Sequence, residues 1–212
     1  MKAIIFANGI MQNLPSSIKP IEKEDLIIAA DGGLKYCMKF EIMPDIVVGD
    51  MDSINHSQLS KMETLGVELI KHPVRKDETD LELALKVALN KGANDIIILG
   101  AMGGRCDMTF CNVLILAADY LKNTNVKLIN DNLEIICINS NKKIYLRNRE
   151  KFKLSILPIS ETVQGITMRG MEYQLENENL ELASTRGLSN IITDNNAFIQ
   201  INKGQLIVMI QE

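Results

Sequence analysis

The chain has 212 residues, 46% hydrophobic and 24% charged, with a formal net charge of −4. These are the proportions of an ordinary globular protein, long enough to bury a core in one large domain or two modest ones. The charge gives no general basic footprint for nucleic acid, and no apolar run approaches the length of a membrane span. Cys37, Cys106, Cys111 and Cys137 lack CxxC spacing and are expected to be reduced and mostly buried, with no zinc site. The opening MKAIIFANGI reaches Asn8-Gly9 too early for a signal peptide, so a cytoplasmic protein is expected.

An apolar strand over residues 2–6 stops at the turn signal Asn8-Gly9. A second, over 26–30, runs into Asp31-Gly32-Gly33 and then a helix predicted over 34–40. Glycines there let backbone N–H groups approach a ligand, and the helix start that follows favours an anion. A third apolar run, 46–48, ends at Gly49 and delivers Asp50 and Asp52, which at strand spacing would point the same way. Mg²⁺ is usually held by one or two carboxylates and otherwise by water and substrate phosphate. The pair therefore reads as a metal-phosphate site rather than a solvated acidic turn.

Ser53 or Asn55 is positioned to cap a helix in which Leu59, Met62 and Leu65 recur before Gly66 stops it. A strand over 67–70 follows, and His72-Pro73 breaks it. Lys76-Asp77-Glu78-Thr79-Asp80 then opens an amphipathic helix with an apolar stripe of Leu81, Ala84, Leu85, Ala88 and Leu89. Acidic residues belong in a first helical turn, but one cap accounts for one Asp, which leaves carboxylates to face the metal. A strand over 95–99 ends in GAMGGRCD at 100–107, and the next helix is predicted to bury Phe110, Leu114, Ala117 and Leu121 on one side. Arg105 suits a bidentate phosphate clamp, or equally a surface Arg held by Asp107.

Strand, glycine turn and helix in repetition argue for a parallel sheet with helices on its faces. All four polar junctions then fall at the carboxyl ends of strands, where such sheets bind ligands. Neither a P-loop nor a GxGxxG fingerprint is present, and His56 and His72 lack a nucleophile partner, so no hydrolase triad is indicated.

Beyond residues 126–130 the pattern changes to short strands over 133–138, 142–146, 152–157, 165–168 and 205–210, with no further helix. The expectation is an α/β domain over 1–135 and a small β-sandwich-like domain over 136–212. A late polar turn there carries Gly187, Leu188, Ser189 and Asn190; the last two suit hydrogen bonds to a neutral heterocycle, or simply an ordinary turn.

In order, ADGG at 30–33, PDIVVGDMDS at 44–53, KDETDLELAL at 76–85, GAMGGRCD with Asn112 beyond it, and GLSN at 187–190 span nearly the full chain. The ordered set resembles the thiamine pyrophosphokinase family. That resemblance implies a catalytic α/β domain, a C-terminal β-sandwich for thiamine, a homodimer, and transfer of a pyrophosphoryl group from ATP to thiamine with Mg²⁺, giving thiamine diphosphate and AMP. It implies Asp50, Asp52 and Asp80 as catalytic and metal-holding residues. Asp31, Gly32, Lys76, Asp77, Thr79, Gly103, Gly104, Arg105 and Asp107 would lie on the nucleotide side, and Ser189 and Asn190 would contact thiamine across the dimer. Either Asp80 or Asp52 would accept the hydroxyl proton.

Two positions depart from the family pattern. Met108 stands where a His is usual, and Ile191 where an acidic residue is common. With no Trp in the chain, stacking on thiamine falls to a Tyr or Phe such as Tyr173 or Phe198. Two alternatives remain open at this point: a pyrophosphokinase for another alcohol such as a hydroxymethyl pterin, or a non-catalytic binder of thiamine or its phosphates.

Overall fold

Six apolar runs pair side by side as parallel strands: β1 (Lys2–Phe6), β2 (Leu26–Ala30), β3 (Ile46–Gly49), β4 (Glu68–Lys71), β5 (Asp95–Leu99) and β6 (Asn125–Asn130). Their order is β6-β5-β1-β2-β3-β4. The central strands are buried almost end to end, which is why their sequences are near-continuous Ile, Val, Leu and Ala rather than alternating. Four helices connect or follow them: α1 (Leu34–Lys39), α2 (His56–Thr64), α3 (Asp80–Asn90) and α4 (Cys106–Leu114). One core cluster of this sheet gathers Ile4, Phe6, Ile27, Leu34, Val47, Met62 and Leu99. The computed structural model describes residues 1–18 and 20–212 and falls into two units, 1–131 and 132–212.

The helix boundaries follow from local chemistry. Asn55 caps α2, accepting from the Gln58 backbone N–H at 2.9 Å, while Gln58 Oε1 accepts from the Asn55 backbone N–H at 3.4 Å. Thr79 Oγ1 caps α3, accepting from Glu82 N–H at 3.2 Å. The helix therefore begins at Asp80, and Lys76, Asp77 and Glu78 lie in the loop before it, not in its first turn as the sequence suggested.

The expected stripe on α4 is also corrected. The helix stops at Leu114 and continues as two single 3₁₀ turns, Ile115–Ala117 and Asp119–Leu121. Phe110, inside α4, and Leu114, at its end, face outward, whereas Leu121 is buried as expected and Leu116, off the expected stripe, is buried with it. Cys37 is buried and Cys137 half-buried, but Cys106 and Cys111 are exposed on α4, against the expectation of mostly buried thiols; all are free.

In the second unit, β7 (Leu133–Asn139), β9 (Lys153–Pro158), β12 (Asn190–Ile191) and β14 (Gln205–Gln211) form one antiparallel sheet, ordered β12-β9-β14-β7, once β8 (Lys143–Tyr145) is set apart. The second sheet, β11-β10-β13-β8, adds β10 (Thr162–Arg169), β11 (Leu175–Glu181) and β13 (Phe198–Gln200). Residues from both sheets, including Leu154, Ile156, Val163, Met168, Ile199 and Val208, share one core, so this unit is a sandwich. β11 was not expected from LENENLE; its pairing with β10 carries register shifts that disturb the alternation of buried and exposed positions.

Candidate functional site

The strand order of the first unit reverses between β1 and β5: β2, β3 and β4 extend to one side of β1, and β5 and β6 to the other. Open parallel sheets bind ligands at such a reversal, outside the carboxyl ends of the strands. The two loops leaving β1 and β5 are stitched together there, with Ala7 N–H donating to Leu99 O at 2.8 Å, Gly9 N–H to Gly100 O at 2.6 Å and Ile10 N–H to Met102 O at 2.7 Å. Any side chain at Gly9 would strike the Met102 and Gly100 carbonyls. Beside them opens a cavity of about 380 Å³ whose walls include Asn8, Asp31, Lys35, Asp80, Gly104 and Arg105.

Asp31 follows β2 and opens a single 3₁₀ turn with φ +45°, a left-handed conformation that Asp tolerates better than most residues. It is buried, and its Oδ1 has no hydrogen-bond partner. Asp31, Asp50 and Asp80 each present a carboxylate oxygen within 4.8 Å of the others. Gly49, at φ +146°, is what allows this approach: a Cβ there would lie 3.0 Å from Asp31 Cβ and from Asp80 Oδ1. Two like charges at such a separation repel by roughly 3 kcal/mol at an effective dielectric near 20. Lys76 offsets part of this, its Nζ lying 2.9 Å from Asp80 Oδ1 and 3.4 Å from Asp50 Oδ2.

Burial works against charge on Asp50, but the Asp52 backbone N–H and the Lys76 ammonium together hold its carboxyl below the usual range. Burial likewise opposes charge on Lys76, and Asp80 and then Asp50 raise it above its ordinary value.

Asp52 does not join the cluster. β3 ends at Gly49, and Met51 adopts φ +66°, so the two-residue strand period that would have aligned Asp52 with Asp50 is broken. Asp52 is exposed; its N–H donates to Asp50 Oδ1 at 3.2 Å, and its own Oδ1 accepts from Ser53 Oγ at 3.2 Å. Asp31, expected on the nucleotide side, takes the third place among the carboxylates. Asp77 is exposed and no part of the cluster, and the Thr79 oxygen is engaged as a helix cap.

Gly103, Gly104 and Arg105 line the cavity. Arg105 is paired with Asp107, donating from Nε to Oδ1 at 3.1 Å and from a terminal nitrogen to Oδ2 at 2.6 Å. That pairing lowers the Asp107 pKa and raises that of Arg105. Both side chains are exposed, so the guanidinium can exchange Asp107 for a ligand oxygen at little cost. Gly32 is packed against the Asn8 side chain, where a Cβ would collide.

Lys35 and Asn8 were not singled out from the sequence. Lys35 Nζ donates to Asn8 Oδ1 at 2.8 Å, at the cavity wall. The signal was present: Asn8 follows β1 as Asp31 follows β2, at the same sheet edge. Met108, the departure from the family pattern, also lines the cavity.

In the second unit the Ser189-Asn190 turn lies against β9, with Ile156 N–H donating to Gly187 O at 2.9 Å. Asn190 is buried and its amide is engaged: Nδ2 donates to Tyr173 O at 2.6 Å, and Oδ1 accepts from Tyr173 N–H at 3.0 Å and Ile191 N–H at 2.9 Å. It clamps the Tyr173 backbone and also borders the cavities on either side of the turn. The Tyr173 side is left 65% exposed, beside a cavity of about 380 Å³ shared with Arg186 and Gly187. Ser189, at φ +59°, lines a further depression of about 500 Å³ with Lys153, Ser155 and Met209, and Asn190 is common to the two. Phe198 packs elsewhere, its ring 6.2 Å from that of Tyr145.

Among known proteins, residues 19–129 match the family model described as thiamin pyrophosphokinase, catalytic domain, and residues 141–206 match that described as thiamin pyrophosphokinase, vitamin B1 binding domain. The thiamine pyrophosphokinase of Bacillus subtilis strain 168 is 30% identical over 210 residues, covering 99% of this chain and 98% of that one. A Bacillus subtilis thiamine pyrophosphokinase crystal structure superposes with a TM-score of 0.87 at 28% identity, covering 100% of this chain and 99% of that one. The Candida albicans thiamin pyrophosphokinase has the same fold, with a TM-score of 0.85 at 20% identity over 99% of this chain and 88% of that one.

Proposed function

The chain belongs to the thiamine pyrophosphokinase family, and on that premise we propose how its own residues divide the transfer of a pyrophosphoryl group from ATP to thiamine. The products are thiamine diphosphate and AMP. Both matched family models name thiamin, so the pterin acceptor is dropped.

The observation that carries the reading is the meeting of Asp31, Asp50 and Asp80 at the edge of the cavity on the strand-order reversal. An all-oxygen donor set with a buried, partnerless Asp31 Oδ1 fits Mg²⁺, and these residues would hold it. Bound there, the ion would neutralise phosphate charge as the hydroxyl of thiamine attacks the β-phosphorus. Lys35 and Arg105 supply the fixed positive charge on the other walls, and the Gly103-Gly104 loop brings backbone close to the phosphates. Positioning of nucleophile and phosphate in line then provides most of the acceleration. Asp52, outside the metal set, is free to accept the hydroxyl proton.

Ser189 offers a hydroxyl to thiamine, and Tyr173, held by Asn190, offers a ring for stacking. Family membership supports reading the enzyme as a homodimer, with a cytoplasmic setting as part of the same proposal. Thiamine-dependent AMP release from ATP and Mg²⁺, with thiamine diphosphate followed by mass, tests the reading: equal yields of the two products are expected. Thiamine binding without AMP would instead favour the non-catalytic binder.

A further inference from the structure

The three carboxylates are served unequally. Lys76 Nζ forms ion pairs with Asp80 and Asp50, while Asp31 Oδ1 is buried beside them with no partner; Asp80 Oδ1, buried as well, has none beyond that ion pair. The Lys76 side chain is only 11% exposed, so its charge is held among the carboxylates rather than in water. It lies in the loop ahead of the Thr79 cap, outside the α3 ladder, on a four-carbon stem that can swing without unwinding the helix. An ammonium so placed neutralises one charge of three and leaves Asp31 unsatisfied, whereas a divalent ion at the same point would serve all three oxygens.

We infer that Lys76 is a resident counter-cation of the carboxylate cluster, which it holds together in the metal-free protein and from which a divalent ion must displace it. This rests on the metal assignment above and adds an order of events. Free metal ion binds weakly, because it must expel a buried positive charge. Metal arriving with a nucleotide binds well, because the triphosphate supplies the expelled ammonium with a new anionic partner. Lys76 thus couples metal binding to nucleotide binding.

The test is Mn²⁺ binding to the full chain, read by electron paramagnetic resonance, with and without a non-hydrolysable ATP analogue. Wild type is compared with Lys76→Met, Lys76→Gln, Lys76→Arg and Asp80→Asn. Both neutral variants are expected to bind Mn²⁺ alone at least about tenfold more tightly than wild type, since the competing charge is gone, and to gain less from the nucleotide. They should also melt at lower temperature without metal, because Asp50 and Asp80 lose their cation. Lys76→Arg, which keeps the charge, should stay near wild type.

Unchanged or weaker Mn²⁺ binding by the folded neutral variants would overturn the inference. If Asp80→Asn then still abolishes nucleotide-dependent Mn²⁺ binding, the metal assignment survives and only the role of Lys76 fails. If Asp80→Asn binds Mn²⁺ as wild type does, both fail.

Discussion

Asp31 in the first unit and Asn190 in the second are buried polar residues within motifs, and they are buried to opposite ends. Asn190 spends both amide atoms on backbone groups of Tyr173 and Ile191. Asp31 keeps an oxygen without a partner, next to two further carboxylates. A buried polar group with its hydrogen bonds made stabilises the fold, whereas one left unsatisfied costs stability and persists where it serves a ligand. Motif membership therefore does not say whether a residue touches substrate; the hydrogen bonds it has left do.

Substitutions should separate the two regions. Asp80→Asn is expected to lower kcat by roughly 10²–10³-fold, the scale of losing one electrostatic group at a reacting phosphate, with melting unchanged. Steady-state AMP formation alongside circular dichroism melting checks both halves. Asn190→Ala should do the reverse in kind, costing about 1–3 kcal/mol because the Tyr173 backbone groups lose their partners. A urea titration with normal cooperativity and an earlier midpoint is the expected record; a raised thiamine KM with no loss of stability would make Asn190 a direct contact after all.

Thiol labelling sharpens the contrast between the units themselves. Cys106 and Cys111 should react with an aromatic disulfide at once in the native protein. Burial pushes the Cys37 thiol up to about 12 and that of Cys137 up to about 11. Cys37 should wait for the first unit to open, and the half-buried Cys137 should label at a rate between those of Cys37 and the exposed pair. The smallest effect belongs to Ser189→Ala, a roughly fivefold rise in thiamine KM for one neutral hydrogen bond, measured at saturating ATP.

Much of the first unit was legible because parallel strands covered on both faces read as plain apolar runs: β1, β2 and β5 lie over the very residues expected. The Asp50 and Asp80 pair was legible too, as carboxylates at strand-to-helix junctions. Asp52 misled because the strand period was extended past Gly49 into a turn where Met51 takes a positive φ. Phe110 and Leu114 misled because apolar residues at helical spacing need not face a core, and here both are exposed on α4. β11 carries mostly polar residues on a bulged edge, and no apolar period announced it. Lys35 became visible only once β1 and β2 were neighbours, which brings Asn8 to its ammonium.

Asp31 is a carboxylate kept for function at some expense of stability. Asn tolerates the φ of +45° at that position, so Asp31→Asn removes the charge and leaves the backbone undisturbed. Measured side by side, the variant should melt at the wild-type temperature or above it, while thiamine-dependent AMP release falls at least about 100-fold. A variant that melts lower and still turns over would make Asp31 a structural residue and not a metal ligand.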